Sequence, residues 1–171
     1  MNRTLETARL LLRPYAARDV EQFVALNSDG EVRRFIGGMI TAERARALFS
    51  TFLDGSNPKG RTWAIETQEG RYYVGHAFLD VHAGDDPPEI GFILSKAHWG
   101  QGYGSEVAER ILRHAFESLY CAVVVATVDE DHPASIRVLE KVGMHLESVG
   151  CDDLGRYRIY RATRADWRGP S

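Results

Sequence analysis

The sequence predicts an α/β protein built around one mixed sheet. Its 171 residues are the length of a single domain, and a content of 44% hydrophobic and 26% charged residues is typical of a protein with a buried core. Strand and helix patterns follow one another as one strand, two helices, three strands, a helix, a strand, a helix and two strands. We therefore expect about six or seven strands flanked by helices, with one right-handed βαβ crossover over residues 90–128.

The first third of the chain supplies a strand and two helices. Residues 10–13 (LLLR) predict a short strand that stops before Pro14. Apolar residues recur at helical spacing over residues 19–27 and again over residues 41–53. The segment DGSNP at residues 54–58 then predicts a loop.

Three strands are expected in the middle of the chain. Their patterns cover residues 62–66, 72–81 and 90–94. The run Asp85-Asp86-Pro87-Pro88 predicts a turn between the last two of these strands.

The strongest amphipathic pattern covers residues 104–120, where apolar residues share one face and charged residues the other. Residues 122–128 are apolar without alternation, which predicts a strand covered on both faces. A helix over residues 133–143 begins with proline and ends with glycine, as helix termini favour. Two final strands are expected over residues 144–149 and 157–162.

The crossover carries a glycine-rich loop between a strand and the strongest helix, Trp99-Gly100-Gln101-Gly102-Tyr103-Gly104-Ser105. Glycines let backbone N–H groups approach a ligand, and a helix N-terminus adds unpaired donors and the positive end of a dipole. The loop therefore predicts a site for a phosphate or pyrophosphate, although glycines alone also suit an ordinary turn. A dinucleotide-binding site needs G-x-G-x-x-G and an acidic residue about 20 positions later. Here the spacing is G-x-G-x-G, and Asp129 after the next strand keeps that alternative open.

Three segments, taken in order, resemble motifs of the GNAT acetyltransferases. They are Glu89-Ile90-Gly91-Phe92-Ile93-Leu94, His98-Trp99-Gly100-Gln101-Gly102-Tyr103-Gly104, and Ser135-Ile136-Arg137-Val138-Leu139-Glu140-Lys141-Val142-Gly143-Met144. The opening residues 5–10 (LETARL) and Trp167 are similar to the branch that contains ribosomal-protein-alanine N-acetyltransferases. The resemblance covers nearly the whole chain. It implies a single GNAT domain over residues 1–167, a mostly antiparallel sheet and a flexible tail at residues 168–171.

The resemblance also implies the co-substrate and the reaction. Acetyl-coenzyme A would donate its acetyl group to a primary amine by direct attack in a ternary complex. Backbone groups of Phe92, Ile93 and Leu94 would hold the pantetheine arm, and His132 would add a coenzyme contact. The pyrophosphate would lie against the loop residues Gly100, Gln101, Gly102, Tyr103, Gly104 and Ser105.

Acetyl transfer to an amine needs a base, a donor for the developing oxyanion and a proton source for the departing thiolate. Glu89 is the best-placed base, because it begins the strand expected to line the thioester; an ordinary surface glutamate is the alternative. Asp80, Asp129 and His76 are weaker candidates. Ser135 matches a serine that lies near the coenzyme sulfur in the resembling branch and could donate the proton, or it could cap the helix.

A second hypothesis comes from Leu139, which stands where many members of the superfamily have a tyrosine general acid. Loss of that group would suit an acyl-coenzyme A binding or sensing module that no longer catalyses a reaction.

Charge and composition limit the partners. The net charge of −3 argues against a nucleic-acid-binding protein, and no His or Cys spacing predicts a metal site. No signal-peptide pattern or apolar run of about 20 residues is visible, so we expect a cytoplasmic protein without membrane contact. The acceptor would be an amine-bearing small molecule or a protein N-terminus, selected by residues 29–54. We expect a monomer or a homodimer.

Overall fold

The computed structural model describes residues 3–54, 56–57, 60–81 and 86–169, which form an α/β fold around one mostly antiparallel sheet. The predicted loop at residues 54–58, the predicted turn at 85–88 and the tail at 168–171 therefore lie partly outside the described residues. The sheet contains eight strands in the order β1-β2-β3-β4-β5-β6-β8-β7. These are β1 Leu5–Glu6, β2 Leu10–Arg13, β3 Arg61–Thr67, β4 Tyr73–Asp80, β5 Glu89–Leu94, β6 Val123–Asp129, β7 His145–Asp152 and β8 Gly155–Thr163.

Four α-helices flank the sheet: α1 Val20–Asn27, α2 Ala42–Asp54, α3 Tyr103–Arg113 and α4 Pro133–Lys141. A π-helical turn, His114–Ser118, continues α3. The predicted helix at residues 104–120 is therefore α-helical only as far as Arg113, because the wider turn follows. Every helix predicted from the apolar spacing is present within a few residues of its expected bounds.

The expectation of six or seven strands was too low. The additional strand is β1, which pairs with β2 through only two residues. A strand of two residues shows no alternation in the sequence, and its position depends on pairing with β2 rather than on its own pattern.

The two faces of the sheet carry separate apolar cores. On one face, α3 and α4 cover a large core that includes the fully buried Trp63 and Ile111. On the other face, α1 and α2 cover an aromatic core around Tyr15, Phe23 and Phe49. The prediction that residues 122–128 are covered on both faces was wrong, because alternate residues of β6 are buried while Thr127 is exposed.

The sheet is interrupted between β5 and β6. These strands run parallel and share a single register pair, Glu89 with Val125. Towards Leu94 and Asp129 the two strands diverge, whereas β4 follows β5 through six pairs and β8 follows β6 through seven. A gap therefore opens in the sheet beside the C-terminal half of β5, directly before the glycine-rich loop.

Candidate functional site

The gap exposes backbone groups of β5 that no neighbouring strand uses. The Ser95 N–H donates to the Val74 carbonyl on β4, and the Val125 N–H donates to the Pro88 carbonyl. Because strand N–H groups alternate in direction, odd-numbered residues of β5 face β4 and even-numbered residues face β6. Phe92 and Leu94 thus direct their N–H groups into the gap.

Glu89 marks the point where the gap begins. In a regular parallel ladder the Thr127 N–H would donate to the carbonyl of Ile90. Instead it donates to Oε1 of Glu89 at 3.1 Å, so a carboxylate occupies the place of a strand carbonyl. Glu89 is half-buried, and its side chain joins Thr127 of β6 to β5 in place of a strand carbonyl.

The glycine-rich loop lies at the end of β5 and turns into α3. Gly100 and Gly102 have φ values of 72° and 79°, a left-handed conformation that favours glycine, and Gly102 is the residue before the helix. None of the backbone N–H groups from Gly100 to Ser105 donates to another residue in the described part of the chain. The loop therefore presents a set of free donors at a helix N-terminus, an arrangement that suits an anion.

Close packing fixes the start of α3 against β5. A Cβ on Gly104 would lie 3.2 Å from the ring of Phe92 and 3.4 Å from Val138 of α4. The loop end is also fixed, because the Trp99 indole N–H donates to the Leu94 carbonyl at 2.8 Å. Gln101 is anchored through its side-chain amide, which donates to the Ala97 carbonyl at 3.0 Å.

A residue far from the loop in sequence clamps it from outside. The guanidinium of Arg9 donates to the Gln101 carbonyl at 2.9 Å and lies 4.6 Å from the centre of the Tyr103 ring. Arg9 also pairs with Glu106 in the first turn of α3 at 2.6 Å. Burial opposes the charge of Glu106, but hydrogen bonds from Thr7 and Arg9 hold the pKa of Glu106 below its ordinary value. The sequence offered no signal for this clamp, because its residues are more than 90 positions apart.

The start of α4 faces the same region. Oγ of Ser135 lies 3.5 Å from Nε2 of His132, and it makes no hydrogen bond to a helix N–H. The His132 ring stacks on Phe35, with centroids 4.5 Å apart and planes within 18°. Burial lowers the pKa of His132, with Asp129 acting in the opposite direction, so the ring is neutral near pH 7.

The segment between α1 and α2 forms a rim around this region on the face opposite α3. Phe35 contacts the start of α4, Glu31 pairs with Lys96 after β5, and a Cβ on Gly37 would lie 3.8 Å from Leu154 of the β7–β8 turn. These contacts place residues 31–37 across the end of the gap. They are part of residues 29–54, which the sequence predicts to select the acceptor.

The weaker candidate bases are already engaged or lie apart. Nδ1 of His76 and the Tyr15 hydroxyl are 2.7 Å apart within the aromatic core. Asp80 is 5% exposed and is the cross-strand neighbour of Glu89. Asp129 accepts a hydrogen bond from the Asp131 N–H and shapes the turn before α4.

Most of the predicted site residues meet at the gap, with one difference. Glu89, Phe92, Leu94 and the loop from Gly100 to Ser105 border it, while His132 precedes α4, the helix that packs on α3, and Ser135 lies in its first turn. Ile93 directs its backbone groups to β4, where it pairs with His76, so only its neighbours on the strand face the gap. Leu139 is 4% exposed within the main core and cannot take part in proton transfer.

Within the described residues no three His, Cys, Asp or Glu side chains form a group that could hold a metal ion. No helix among them is long and apolar enough to cross a membrane. The sheet also differs from that of a dinucleotide-binding domain, because such a sheet is mostly parallel and this one is mostly antiparallel.

Comparison with known proteins gives consistent results for sequence and structure. The chain is 34% identical over 152 residues to an uncharacterized N-acetyltransferase of Bacillus subtilis, YoaA, and the match covers 85% of this chain and 84% of that protein. RimJ of Mycobacterium smegmatis, solved in complex with a coenzyme A disulfide, superposes with a TM-score of 0.80 at 18% identity, over 99% of this chain and 93% of that one.

The fold is also that of a ribosomal-protein-S5-alanine acetyltransferase from Vibrio fischeri, with a TM-score of 0.80 at 10% identity over 98% of this chain and 100% of that one. The structural neighbours thus include the branch that the sequence motifs resemble. Residues 9–145 match the family described as the acetyltransferase (GNAT) domain. Because that match covers most of the chain, this protein belongs to the GNAT acetyltransferase family.

Proposed function

We propose that this protein is an N-acetyltransferase that moves the acetyl group of acetyl-coenzyme A to a primary amine by direct attack in a ternary complex. The observation that carries the proposal is the continuity of free backbone donors from the gap to the loop. Phe92 and Leu94 offer N–H groups beside the divergent strands, and residues 100–105 offer them at the start of α3. An extended thioester with a pyrophosphate at one end matches this line of donors.

The acceptor would approach from the face that carries α1 and α2. That face is open beside β6, where Thr127 is exposed, and residues 31–37 form its rim. The donor would occupy the gap and the loop on the α3 side. Two substrates on opposite sides of one opening favour a direct transfer between them.

The two cysteines support direct transfer rather than an acetylated cysteine. Cys121 precedes the N-terminal end of β6, and it is this end of β6 that pairs with β5. Burial also raises the pKa of its thiol, which reduces its nucleophilicity at neutral pH. Cys151 lies on β7, which is separated from β6 by β8.

Glu89 and Ser135 are the residues that we place in proton transfer. The amine nitrogen would bond to the acetyl carbon as the carbon–sulfur bond breaks; Glu89 would receive the amine proton, through water if the distance requires it. Ser135 would supply a proton to the departing thiolate. His132 could return that proton from Nε2, which is 3.5 Å from Oγ of Ser135, while its Nδ1 takes up a proton from water, so that the ring stays neutral.

A thiol-release assay over a panel of amines tests the proposal. The panel contains peptides with a free alanine or serine N-terminus, a polyamine, an amino acid and an aminoglycoside. Thiol release that depends on one of these amines, with intersecting initial-velocity lines for the two substrates, is the expected result. Parallel lines would contradict direct attack, because they indicate a covalent intermediate.

The non-catalytic hypothesis is supported by Leu139, because leucine cannot act as an acid at the position where many members of the superfamily have a tyrosine. Under that hypothesis acetyl-coenzyme A binds without amine-dependent thiol release from any member of the panel. Calorimetry of acetyl-coenzyme A binding, run beside the release assay, separates the two functions.

A further inference from the structure

The π-helical turn after α3 borders a polar pocket that lies apart from the glycine loop. The pocket has a volume of about 400 Å³ and is lined by Arg3, Thr4, Leu5, Glu6, Arg110, His114 and Ser118. Of its lining residues on this helix, Arg110 is nearest to the loop, eight positions beyond Gly102, so roughly 12 Å of helix separates the pocket from the loop. Arg110 also borders a second pocket, which extends to Gly102 and Ser105. The pocket takes no part in the acetyl transfer proposed above.

His114 lines this pocket and carries an unsatisfied polar atom. The residue is 5% exposed, and its Nδ1 is buried without a hydrogen-bond partner among the described residues. The ring packs edge-on against Trp63, with centroids 6.0 Å apart. Buried side-chain nitrogens are rarely left without a partner, and π-helical turns occur often at functional sites.

The charges around His114 are mostly positive. Arg3 and Arg110 line the pocket, and Arg61 lies close enough to act on the ring electrostatically. Among the described residues none of these three arginines forms a salt bridge with a carboxylate. Nε of Arg110 donates to the Glu6 carbonyl at 2.9 Å, which holds its side chain at the pocket wall.

Burial first, and then the positive charges of Arg110, Arg61 and Arg3, lower the pKa of His114, so the ring is neutral near pH 7. A neutral imidazole can carry its proton on Nδ1 and donate it. Two carboxylates act against an anion. Glu6 lines the pocket. Glu117 interacts electrostatically with Arg110, but it also lies 3.9 Å from Arg113, whose positive charge compensates part of the Glu117 charge.

We propose that this pocket binds a small oxoanion, either a phosphoryl or a carboxylate group, held by Arg3, Arg110 and the Nδ1–H of His114. The anion supplies the partner that Nδ1 lacks, and it relieves the repulsion between guanidinium groups that have no carboxylate of their own. Arg guanidinium groups with free donors suit such an anion because they match the geometry of its oxygens.

The three tryptophans allow the proposal to be tested with separate reporters. The Trp63 indole N–H donates to the Arg3 carbonyl at 2.9 Å, Trp99 lies in the glycine loop, and the Trp167 indole donates to Val142 at 2.9 Å. Their three indole signals in a ¹H–¹⁵N spectrum can be assigned with Trp99→Phe and Trp167→Phe. Inorganic phosphate and malonate serve as probes, each titrated at constant ionic strength with chloride as the background salt.

At least one probe should shift the Trp63 signal in a saturable way. Phosphate at the glycine loop would move Trp99 instead, and Gly102→Asp should abolish that response while leaving the Trp63 response intact. His114→Phe keeps a ring against Trp63 but removes Nδ1, and it should weaken the Trp63 response at least ten-fold. Arg3→Gln should weaken it several-fold, whereas Arg18→Gln, a change at an exposed arginine elsewhere, should have no effect.

Two results would overturn the proposal. One is a titration in which neither probe moves the Trp63 signal. The other is a Trp63 response that is the same in His114→Phe and Arg3→Gln as in the unchanged protein. Arg3→Gln keeps the test valid if His114→Phe fails to fold, because Arg3 is exposed and contributes its carbonyl, which the change leaves in place, to the Trp63 bond.

Discussion

Ser135 lies in the first turn of α4 without capping the helix. Its hydroxyl lies 3.5 Å from His132, no helix N–H donates to it, and His132 occupies the position before the helix. A capping role would require a bond to an N–H of the first turn. The capping role therefore has no hydrogen bond to support it among the described residues, and the role in proton transfer stays a prediction.

Ser135→Ala tests that role. We expect turnover to fall roughly ten- to a thousand-fold, within or just below the usual range for acid–base catalysis, while coenzyme A affinity changes much less. The melting temperature should be nearly unchanged, because no cap is lost. Ser50→Ala, which removes an exposed helix hydroxyl distant from the gap, is the matched control for both measurements. Full turnover in Ser135→Ala would end the catalytic assignment.

Two substitutions at Glu89 distinguish a catalytic base from a side chain that only accepts the Thr127 hydrogen bond. Glutamine keeps an oxygen that can accept the Thr127 N–H but cannot take a proton, so Glu89→Gln should lower turnover by roughly 10²- to 10⁴-fold at an unchanged melting temperature. Glu89→Ala should in addition destabilise the fold by about 1 kcal/mol, because the Thr127 N–H loses its partner. Steady-state kinetics and thermal melts of both variants measure these effects. If Glu89→Gln retains full turnover, the carboxylate only accepts the Thr127 hydrogen bond.

Single residues were predictable from the sequence where a local pattern identified them. Examples are Gly102, which has a left-handed backbone conformation directly before α3, and Glu89, which begins β5. The Arg9 clamp, the stacking of Phe35 on His132 and the bond from Thr127 to Glu89 were not predictable. Each joins residues distant in the chain, and one sequence contains no record of which distant residues meet.

At the level of elements, the glycines of the loop between β5 and α3 differ in how closely other residues pack against them. Gly102 has space around it, since the nearest atom to an added Cβ is the Arg9 guanidinium at 3.5 Å. Gly104 is packed against Phe92 and Val138. A substitution at Gly102 meets no close packing but strains its left-handed backbone, so it needs a control variant with the same strain, whereas a substitution at Gly104 would also disturb the packing of α3 on β5.

Gly102→Asp should reduce coenzyme A affinity ten-fold or more, about 1.4 kcal/mol, because it places a negative charge where the pyrophosphate would bind. Gly102→Asn is the matched control, since asparagine tolerates the same left-handed backbone without the charge. Isothermal calorimetry of both variants gives the comparison. Equal affinity in the aspartate variant and the unchanged protein would remove the loop from the proposed site.

Long elements were predictable and short or irregular ones were not. α3 and α4 have strong apolar periodicity, and their starts lie within one residue of the prediction. β1 and the π turn have no periodicity of their own. β1 forms because it pairs with β2, and the π turn forms because one extra residue is accommodated in the helical turn. The apolar run of β6 predicted two covered faces, but its outer residues face the opening where we place the acceptor.

For the whole molecule, three partly buried histidines predict a pH dependence of stability. The pKa values of His98, His114 and His132 lie below the ordinary value of about 6.5, with burial as the first cause in each case. Unfolding restores the ordinary value, so the unfolded chain binds more protons as the pH falls. Stability from these groups is fully present above about pH 6.5 and is lost as the pH falls through the folded pKa values.

Urea denaturation between about pH 8 and pH 5, in a buffer free of phosphate, measures this effect. The free energy of unfolding should decrease towards the acid end. His114→Phe should show a shallower decrease, because one of the three groups no longer titrates. An identical slope in this variant would mean that His114 is protonated to the same extent in the folded and unfolded states.

The single pair between β5 and β6 has a consequence for the cooperativity of folding. On one side of it, five strands form a sheet that also carries the aromatic core; on the other, β6, β8 and β7 form a three-stranded sheet, and the core beneath α3 and α4 joins the two. Native-state hydrogen exchange without a ligand should therefore reveal two opening free energies, with the amides of the three-stranded sheet exchanging at the lower one. Saturating coenzyme A should bring the two values together, since a ligand bound to both sides stabilises only the state in which both are folded. A molecule that unfolds in two steps when empty would then unfold in one step when its substrate is bound.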